Sequence, residues 1–218
     1  MAFWIANVAG LMIAYLLGSI PTGYLAGKLK GIDIREHGSK STGATNVLRT
    51  LGKLPAAVVL LVDILKGAGA VAFVRWICPW WITLVSSTSP SALELQAWQP
   101  WVVCVAGLAV LLGHARPIWL SFAGGKSAAT GLGVLLALSW QVGIGAAIVF
   151  VAGIAIFRIV SLSSMLAALA AIALIFVLPQ PLPYRWLVIA GAIYVIARHR
   201  ANIHRLLSGT EPRLGAKP

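Results

Sequence analysis

Acidic residues are scarce in this sequence of 218 residues, which contains only five of them. Asp33, Glu36, Asp63, Glu94 and Glu211 are scattered along the chain, so no carboxylate cluster is available to hold magnesium and metal-assisted phosphoryl transfer is not expected. Charged residues make up 10% of the chain and hydrophobic residues 60%, with a mean hydropathy of +0.92. This composition excludes a water-soluble globular domain and indicates an integral membrane protein.

Other catalytic signatures are missing as well. Of the two cysteines, one lies inside an apolar run and neither has metal-ligand spacing, so Cys78 and Cys104 predict neither a disulfide nor a zinc site. No His-x-x-x-x-Asp box follows any of the four histidines, which excludes the acyltransferase chemistry built on that box. Residues 1–20 lack a basic leader and a cleavage site, so they predict a retained first span.

Long apolar runs fill most of the remaining sequence. Runs able to cross about 30 Å of hydrocarbon, or most of it, lie at 3–26, 54–76, 98–113, 127–138, 141–157, 162–178 and 184–198. The run 127–138 is short, and merging it with 141–157 would give six crossings. The sequence therefore predicts an all-α integral membrane protein, and the charge pattern decides between six and seven transmembrane helices.

The distribution of basic residues favours seven transmembrane helices. That count places nearly all of them on one side of the membrane, which makes this side cytoplasmic, with the N-terminus outside and the C-terminus in the cytoplasm. Only Arg75 and Arg185 fall on the other side, where a tryptophan belt is expected at Trp76, Trp80, Trp81, Trp98 and Trp101. Because the net charge of +12 resides in short loops, membrane orientation explains it better than nucleic acid, and no nucleic-acid partner is expected.

With seven helices, every notable polar passage lies on the cytoplasmic side, within residues 35–53, 113–127, 158–164 and 198–211. The sequence predicts one membrane-embedded domain over residues 1–218. Residues 38–49 combine glycines, hydroxyls and two cations with the start of a helix, a pattern typical of phosphate binding. On that helix Thr45, Asn46 and Arg49 share one face while Val47 and Leu48 lie opposite. A solvated loop followed by an amphipathic surface helix explains the same pattern.

Two further passages also have two interpretations. Gly124, Gly125 and Lys126 lack the preceding glycine and strand of an ATP-binding P-loop, but before a helix they fit a smaller anion pocket or a tight interhelical turn. His199 and Asn202 share a helix face and could orient a hydroxyl group, or belong to a basic helix that binds acidic lipid head groups.

The remaining candidate residues are Ser161, Asp63 and Lys66. Ser161 has no histidine or acid beside it in sequence, so it is a weak nucleophile and an ordinary helix cap or hydrogen-bond donor. Asp63 and Lys66, three residues apart inside a span, predict an ion pair that faces the bundle. The pair is either a functional candidate or a structural clasp that holds the second span against the site.

Taken together, the motifs resemble the bacterial membrane glycerol-3-phosphate acyltransferases that use acyl phosphate as donor, the PlsY family. The resemblance covers nearly the whole chain. It is carried by Gly18-Ser19-Ile20-Pro21, Gly38-Ser39, Gly43-Ala44-Thr45-Asn46-Val47-Leu48-Arg49, Asp63-Ile64-Leu65-Lys66-Gly67, Gly113-His114, Gly124-Gly125-Lys126, Val160-Ser161-Leu162, Arg198-His199-Arg200 and Asn202-Ile203. The family's seven-span fold, with its N-terminus outside, agrees with the charge pattern.

The resemblance implies transfer of a fatty acyl group from acyl phosphate to the 1-hydroxyl of glycerol 3-phosphate. The products are lysophosphatidic acid and phosphate, no cofactor or metal is needed, and the reaction belongs to phospholipid biosynthesis at the bacterial inner membrane. Implied partners are glycerol 3-phosphate, acyl phosphate, membrane lipid and an enzyme that forms acyl phosphate. A small transporter or flippase for an anionic metabolite is the alternative, although the sequence lacks the internal repeat that such a protein predicts.

Roles follow from the resemblance residue by residue. The groups implied to hold glycerol 3-phosphate are Arg49, Lys126, Ser161, His199 and Asn202, and those implied around the donor phosphate are Ser39, Thr45, Asn46, Gly124 and Gly125. Glu211 matches a C-terminal glutamate with a structural role.

The chain departs from the family at four positions in these loops, Lys40, Ser41, Ala123 and Ser127. Lys40 and Ser127 stand where the family has glycine, so the family's backbone path would be strained there if it requires a positive φ.

Overall fold

The computed structural model describes residues 2–86 and 92–215, except for the side chains of residues 2–4, 6, 78–79, 81–86 and 92–95. Every regular element in these two ranges is helical. The α-helices are α1 Ala2–Ser19, α2 Thr22–Lys28, α3 Ala44–Leu51, α4 Lys53–Ser86, α5 Ala92–Ala115, α6 Ala128–Leu138, α7 Trp140–Phe157, α8 Val160–Val177, α9 Leu182–Arg198 and α10 Arg200–Leu207. Short 3-10 turns lie at Ile34–Glu36 and Ile118–Leu120.

Five stretches of the described chain are long and apolar enough to cross a membrane. They are Asn7–Lys28, Lys53–Ile77, Gln96–Leu120, Trp140–Phe157 and Val160–Val177. The all-helical, membrane-spanning architecture is thereby confirmed. α6 and α9 are apolar but shorter, with 11 and 17 residues. Extended backbone at Ser139 separates α6 from α7, which confirms that 127–138 and 141–157 form two helices.

The first apolar run, expected as one helix over 3–26, is broken between α1 and α2. Pro21 lies at the break, where its ring and missing N–H prevent a regular helix from continuing. The freed carbonyl of Ile20 accepts a hydrogen bond from Lys66 Nζ at 3.0 Å. Lys66 also pairs with Asp63 at 2.8 Å, and the Thr22 hydroxyl donates to Asp63 at 2.6 Å. The predicted intramembrane pair is confirmed, and it ties α4 to the break.

Small residues bring α4 and α6 close together. A methyl group at Gly133 would overlap the carbonyl of Ile64, and one at Gly67 would overlap the carbonyl of Thr130. Close approach through glycine is typical of helix pairs in membranes, where van der Waals contact rather than hydrophobic exclusion holds them together. This packing fixes the position of α6, whose N-terminus follows Lys126.

Arg75 lies toward the end of the bundle opposite Lys126. Arg75 donates to the carbonyl of Ala137 at 2.6 Å, near the end of α6 opposite Lys126. The described tryptophans near Arg75 in the chain, Trp76, Trp80, Trp98 and Trp101, are exposed. The expectations for Cys78, Trp81 and Glu94 concern side chains outside the described residues, whereas Cys104 is buried with a free thiol.

Candidate functional site

A cavity of about 210 Å³ lies among α3, α6, α7, α8 and α9 and reaches the segment after α9. Its polar end brings together residues that are far apart in sequence. Eight of the ten predicted site residues border it: Ser39, Thr45, Asn46, Arg49, Lys126, Ser161, His199 and Asn202. The remaining two, Gly124 and Gly125, are not among the lining residues.

Gly124 and Gly125 pack instead against the end of α5. Their N–H groups donate to the carbonyls of Ala115 and His114, at 3.2 and 3.1 Å. A methyl group on Gly124 would overlap the His114 carbonyl, and one on Gly125 would overlap the His114 ring. The two N–H groups expected to face an anion therefore already have partners, and the glycines serve close packing against α5. Substrate contact at these glycines stays a prediction.

Glu211 organises one wall of the polar end. Its Oε1 accepts hydrogen bonds from the Ser161 hydroxyl at 2.7 Å and from Asn202 Nδ2 at 2.6 Å, and its Oε2 accepts one from Arg205 Nε at 2.7 Å. Asn202 Oδ1 in turn accepts a hydrogen bond from Lys126 Nζ at 2.5 Å. A chain of contacts thus joins three of the four polar segments, and Glu211 fixes which way the Asn202 amide points.

The electrostatic setting of this wall is cationic. Burial lowers the pKa of Lys126 to about 8; Glu211 opposes this change, while Arg205, Arg49 and Arg198 reinforce it. Burial likewise disfavours ionisation of Glu211, but hydrogen bonds from Asn202, Ser161 and Arg205 hold its pKa below the ordinary value. The excess of positive charge suits an anionic ligand such as a phosphate.

His199 is held as a neutral imidazole with a defined tautomer. Its Nδ1 lies 2.7 Å from the carbonyl of Val195, so Nδ1 carries the proton and Nε2 is left as an acceptor. Burial lowers the pKa of His199 to about 4, and the bond to Val195 only partly opposes this. At neutral pH the ring can therefore orient a hydroxyl group through Nε2.

Asn46 shapes the loop that precedes α3. Its Oδ1 accepts the N–H of Ser39 at 2.8 Å, and its Nδ2 lies 2.9–3.0 Å from the carbonyls of Ile34, His37 and Ser41. The side chain is 1% exposed. Asn46 thus holds Ser39 in place at the cavity, while its predicted contact with substrate stays a prediction.

Three residues outside the predicted set also belong to this region. Arg198 donates to the carbonyls of Gly124 and Gly125, at 3.4 and 3.0 Å, and so ties the glycine turn to the end of α9. Asp63 and His114 border the cavity, with His114 Nδ1 3.5 Å from Asp63. All three stood in motifs of the sequence, Asp63 in the predicted ion pair, His114 after Gly113 and Arg198 before His199, but none was assigned to the site. No group of three His, Cys, Asp or Glu side chains that could hold a metal occurs among the residues described.

The two glycine positions that this chain replaces keep a glycine-like backbone. Lys40 has φ +56° and Ser127 φ +62°. Ser127 is fully buried, and its hydroxyl donates to the carbonyl of Leu111 at 2.8 Å, which offsets part of the strain. Lys40 is exposed. Lys40 therefore adds a positive charge to the loop beside the cavity, but its backbone conformation is strained.

Replacing Lys40 with glycine should stabilise the folded protein. Glycine adopts a positive φ without the side-chain clash that costs roughly 1 kcal/mol in other residues, so the apparent unfolding midpoint in detergent should rise by about 2–4 °C. The matched control is Lys30→Gly, at an exposed lysine without a positive φ, which should lower the midpoint. Equal changes in both variants would contradict strain at Lys40.

Comparison with known proteins agrees with this geometry. Residues 8–209 match the family model described as glycerol-3-phosphate acyltransferase. The chain belongs to the glycerol-3-phosphate acyltransferase family. Among curated members, glycerol-3-phosphate acyltransferase 2 of Rhizobium johnstonii is 73% identical over 99% of both chains. The glycerol-3-phosphate acyltransferase of a Nostoc species is 55% identical over 100% of this chain and 96% of its own.

Solved structures of the family share the fold. The chain is similar to crystal structures of PlsY, an integral membrane glycerol 3-phosphate acyltransferase, in its glycerol 3-phosphate form and its lysophosphatidic acid form. The TM-scores are 0.83 and 0.80 at 36% and 35% identity, and 96% of each chain is covered. The chain is therefore an acyltransferase of the PlsY family, embedded in a membrane and acting in phospholipid biosynthesis.

Proposed function

We propose that the protein transfers a fatty acyl group from acyl phosphate to the 1-hydroxyl of sn-glycerol 3-phosphate. The hydroxyl oxygen attacks the acyl carbonyl, the bond between that carbon and the phosphate oxygen breaks, and the hydroxyl proton passes to the departing phosphate. Lysophosphatidic acid and inorganic phosphate result. Because a mixed anhydride already carries a good leaving group, positioning and charge neutralisation supply most of the catalysis.

The observation that carries the proposal is a single cavity with two unlike ends. One end holds Lys126, Arg49 and the hydrogen-bonded Asn202, and the other is lined by small apolar side chains such as Ala146 and Ala171. Both substrates need a cationic site for phosphate, and the donor also needs an apolar space for its acyl chain. One continuous cavity meets both needs.

Glycerol 3-phosphate is assigned to the wall that contains Glu211. Lys126 and Arg49 neutralise its phosphate, while Ser161, His199 and Asn202 hold its hydroxyl groups. Neutral His199 orients the attacking hydroxyl through Nε2, and its low pKa makes it a weak proton acceptor. Because His199 is a weak proton acceptor, the hydroxyl proton passes to the donor's phosphate instead.

The donor phosphate is assigned to the opposite side of the polar end. Ser39, Thr45 and Asn46 border the cavity there, on the loop and the first turn of α3. The turn formed by Gly124 and Gly125 lies behind the lining and holds the backbone that leads to Lys126. The neighbouring positive charge of Lys40 favours a doubly anionic donor.

We further propose seven crossings of the bacterial inner membrane, with α6 and α9 as the two short ones. The N-terminus lies outside, and the polar end of the cavity faces the cytoplasm, where glycerol 3-phosphate is dissolved. The predominance of basic residues at that end supports this orientation. Acyl phosphate would come from a separate acyl-phosphate-forming enzyme.

The test is an assay of the purified full-length protein in detergent. Glycerol 3-phosphate with palmitoyl phosphate should give lysophosphatidic acid, and palmitoyl-CoA in its place should give none. Product from palmitoyl-CoA would overturn the choice of donor. Folded protein that gives no product with any acyl phosphate would overturn the proposed reaction and favour a transporter of anionic metabolites.

A further inference from the structure

The apolar part of the cavity ends at the same depth on three helices. The lining residues farthest from the polar end are Ala146 on α7, Ala171 on α8 and Leu187 on α9. Each lies eleven residues from the end of its helix nearest the site, at Phe157, Val160 and Arg198. With a helical rise of about 1.5 Å per residue, all three lie at a depth of about 16 Å.

Large buried side chains close the cavity beyond this depth. One turn farther along the same helices lie Val142 and Ile175, both 0% exposed, and Tyr184, 9% exposed. They form one apolar cluster with Ala146, Ala171 and Leu187. Because Val142, Ile175 and Tyr184 are buried and do not border the cavity, an acyl chain that enters from the polar end meets them as a floor.

The depth of the cavity corresponds to a definite length of hydrocarbon. Carbon–carbon bonds of about 1.5 Å in an extended zigzag advance about 1.3 Å per carbon, so one helical turn of about 5.4 Å along the cavity corresponds to roughly four carbons. We propose that Ala146, Ala171 and Leu187, supported by Val142 and Ile175, set the acyl-chain length that this enzyme prefers. The proposal rests on the proposed function, since it assigns the far end of the same cavity to the terminal methyl group of the donor.

Ala171 offers the sharpest test because a matched alanine lies beside it. Ala171 is 2% exposed and faces the cavity, whereas Ala173, two residues along α8, is exposed on the outer surface. Ala171→Leu should shorten the preferred donor by about two carbons and lower the ratio of kcat/KM for long over short donors about tenfold, as expected for two methylenes left unburied. Ala173→Leu should keep the wild-type preference.

A second variant should move the preference the other way. Ile175→Ala opens space under the floor, so donors about two carbons longer should become the best substrates. The experiment measures kcat/KM for a series of saturated acyl phosphates with wild type, Ala171→Leu, Ala173→Leu and Ile175→Ala, each checked for folding by its thermal transition.

The outcomes separate the two proposals. Opposite shifts in Ala171→Leu and Ile175→Ala support the floor; if only one of them folds, a shift in that variant supports it. An unchanged length profile in either folded variant, or an Ala173→Leu profile equal to that of Ala171→Leu, overturns it. Wild-type protein that is folded but uses no acyl phosphate of any length overturns the proposed function instead.

Discussion

Replacing Lys126 with methionine should lower kcat/KM for acyl transfer by about 10²–10³-fold, the loss typical when one preorganised charge is removed from a transition state. Methionine keeps much of the length and apolar volume of the side chain but cannot neutralise a phosphate. The ammonium of Lys126 is aimed by Asn202 Oδ1 at the polar end of the cavity. The control is Lys53→Met, at an exposed lysine that does not border the cavity, which should leave activity unchanged.

The pH profile is the readout that distinguishes charge from structure at Lys126. Since burial lowers its pKa to about 8, the ammonium loses its proton as the pH rises through about 8, and kcat/KM should fall there. For kcat the fall should occur at higher pH, because a bound phosphate stabilises the ammonium. Lys126→Arg should remove this alkaline fall, because guanidinium stays protonated. A profile that is the same in wild type and Lys126→Arg would contradict the role of Lys126.

Glu211→Gln should destabilise the protein by about 3 kcal/mol, the usual result of removing one partner from a buried charged network. The carboxylate accepts hydrogen bonds from Ser161, Asn202 and Arg205. A glutamine amide has one acceptor and one donor end, so whichever way it turns, a donor faces a donor. The apparent unfolding midpoint should fall by roughly 6–12 °C. Activity should fall at least tenfold, because Asn202 is no longer oriented.

The loss of folding stability at acidic pH gives an independent test of the role of Glu211. Hydrogen bonds hold its folded-state pKa below the ordinary value of 4.5, so its contribution is complete above that value and is lost as the pH falls through the folded-state pKa. Glu211→Gln should lack this acid-dependent loss. Glu36→Gln, at an exposed position, should change stability by no more than about 0.5 kcal/mol. Equal effects of the two substitutions would refute the network.

Helix boundaries were the most predictable part of the fold. The apolar runs at 127–138, 141–157, 162–178 and 184–198 match α6 to α9 within two residues, because hydrocarbon thickness and turn residues constrain both ends. The break at Pro21 was missed, since an apolar run shows length but not backbone continuity. The paired polar groups at Thr22, Asp63 and Lys66 make that break tolerable inside the bundle.

The candidate site was predictable as a set of residues but not as an arrangement. Charge placed its four segments at one end of the bundle, and eight of ten named residues border the same cavity. Sequence alone did not show that the N–H groups of Gly124 and Gly125 donate hydrogen bonds to α5, or that Arg198 donates to their carbonyls. Those contacts depend on how α5 and α9 approach each other, which no local pattern encodes.

The amino-acid sequence by itself determined the membrane-embedded helical class, the family, and the residue types that meet phosphate, because hydropathy, charge asymmetry and motif order are properties of the chain. Tertiary structure alone decided the contact of Glu211 with Ser161 and the floor at Ala146, Ala171 and Leu187. Each of these depends on distances between segments that are remote in sequence. Such distances follow from the close packing of small residues, as at Gly67 and Gly133, and packing is a property of the whole bundle.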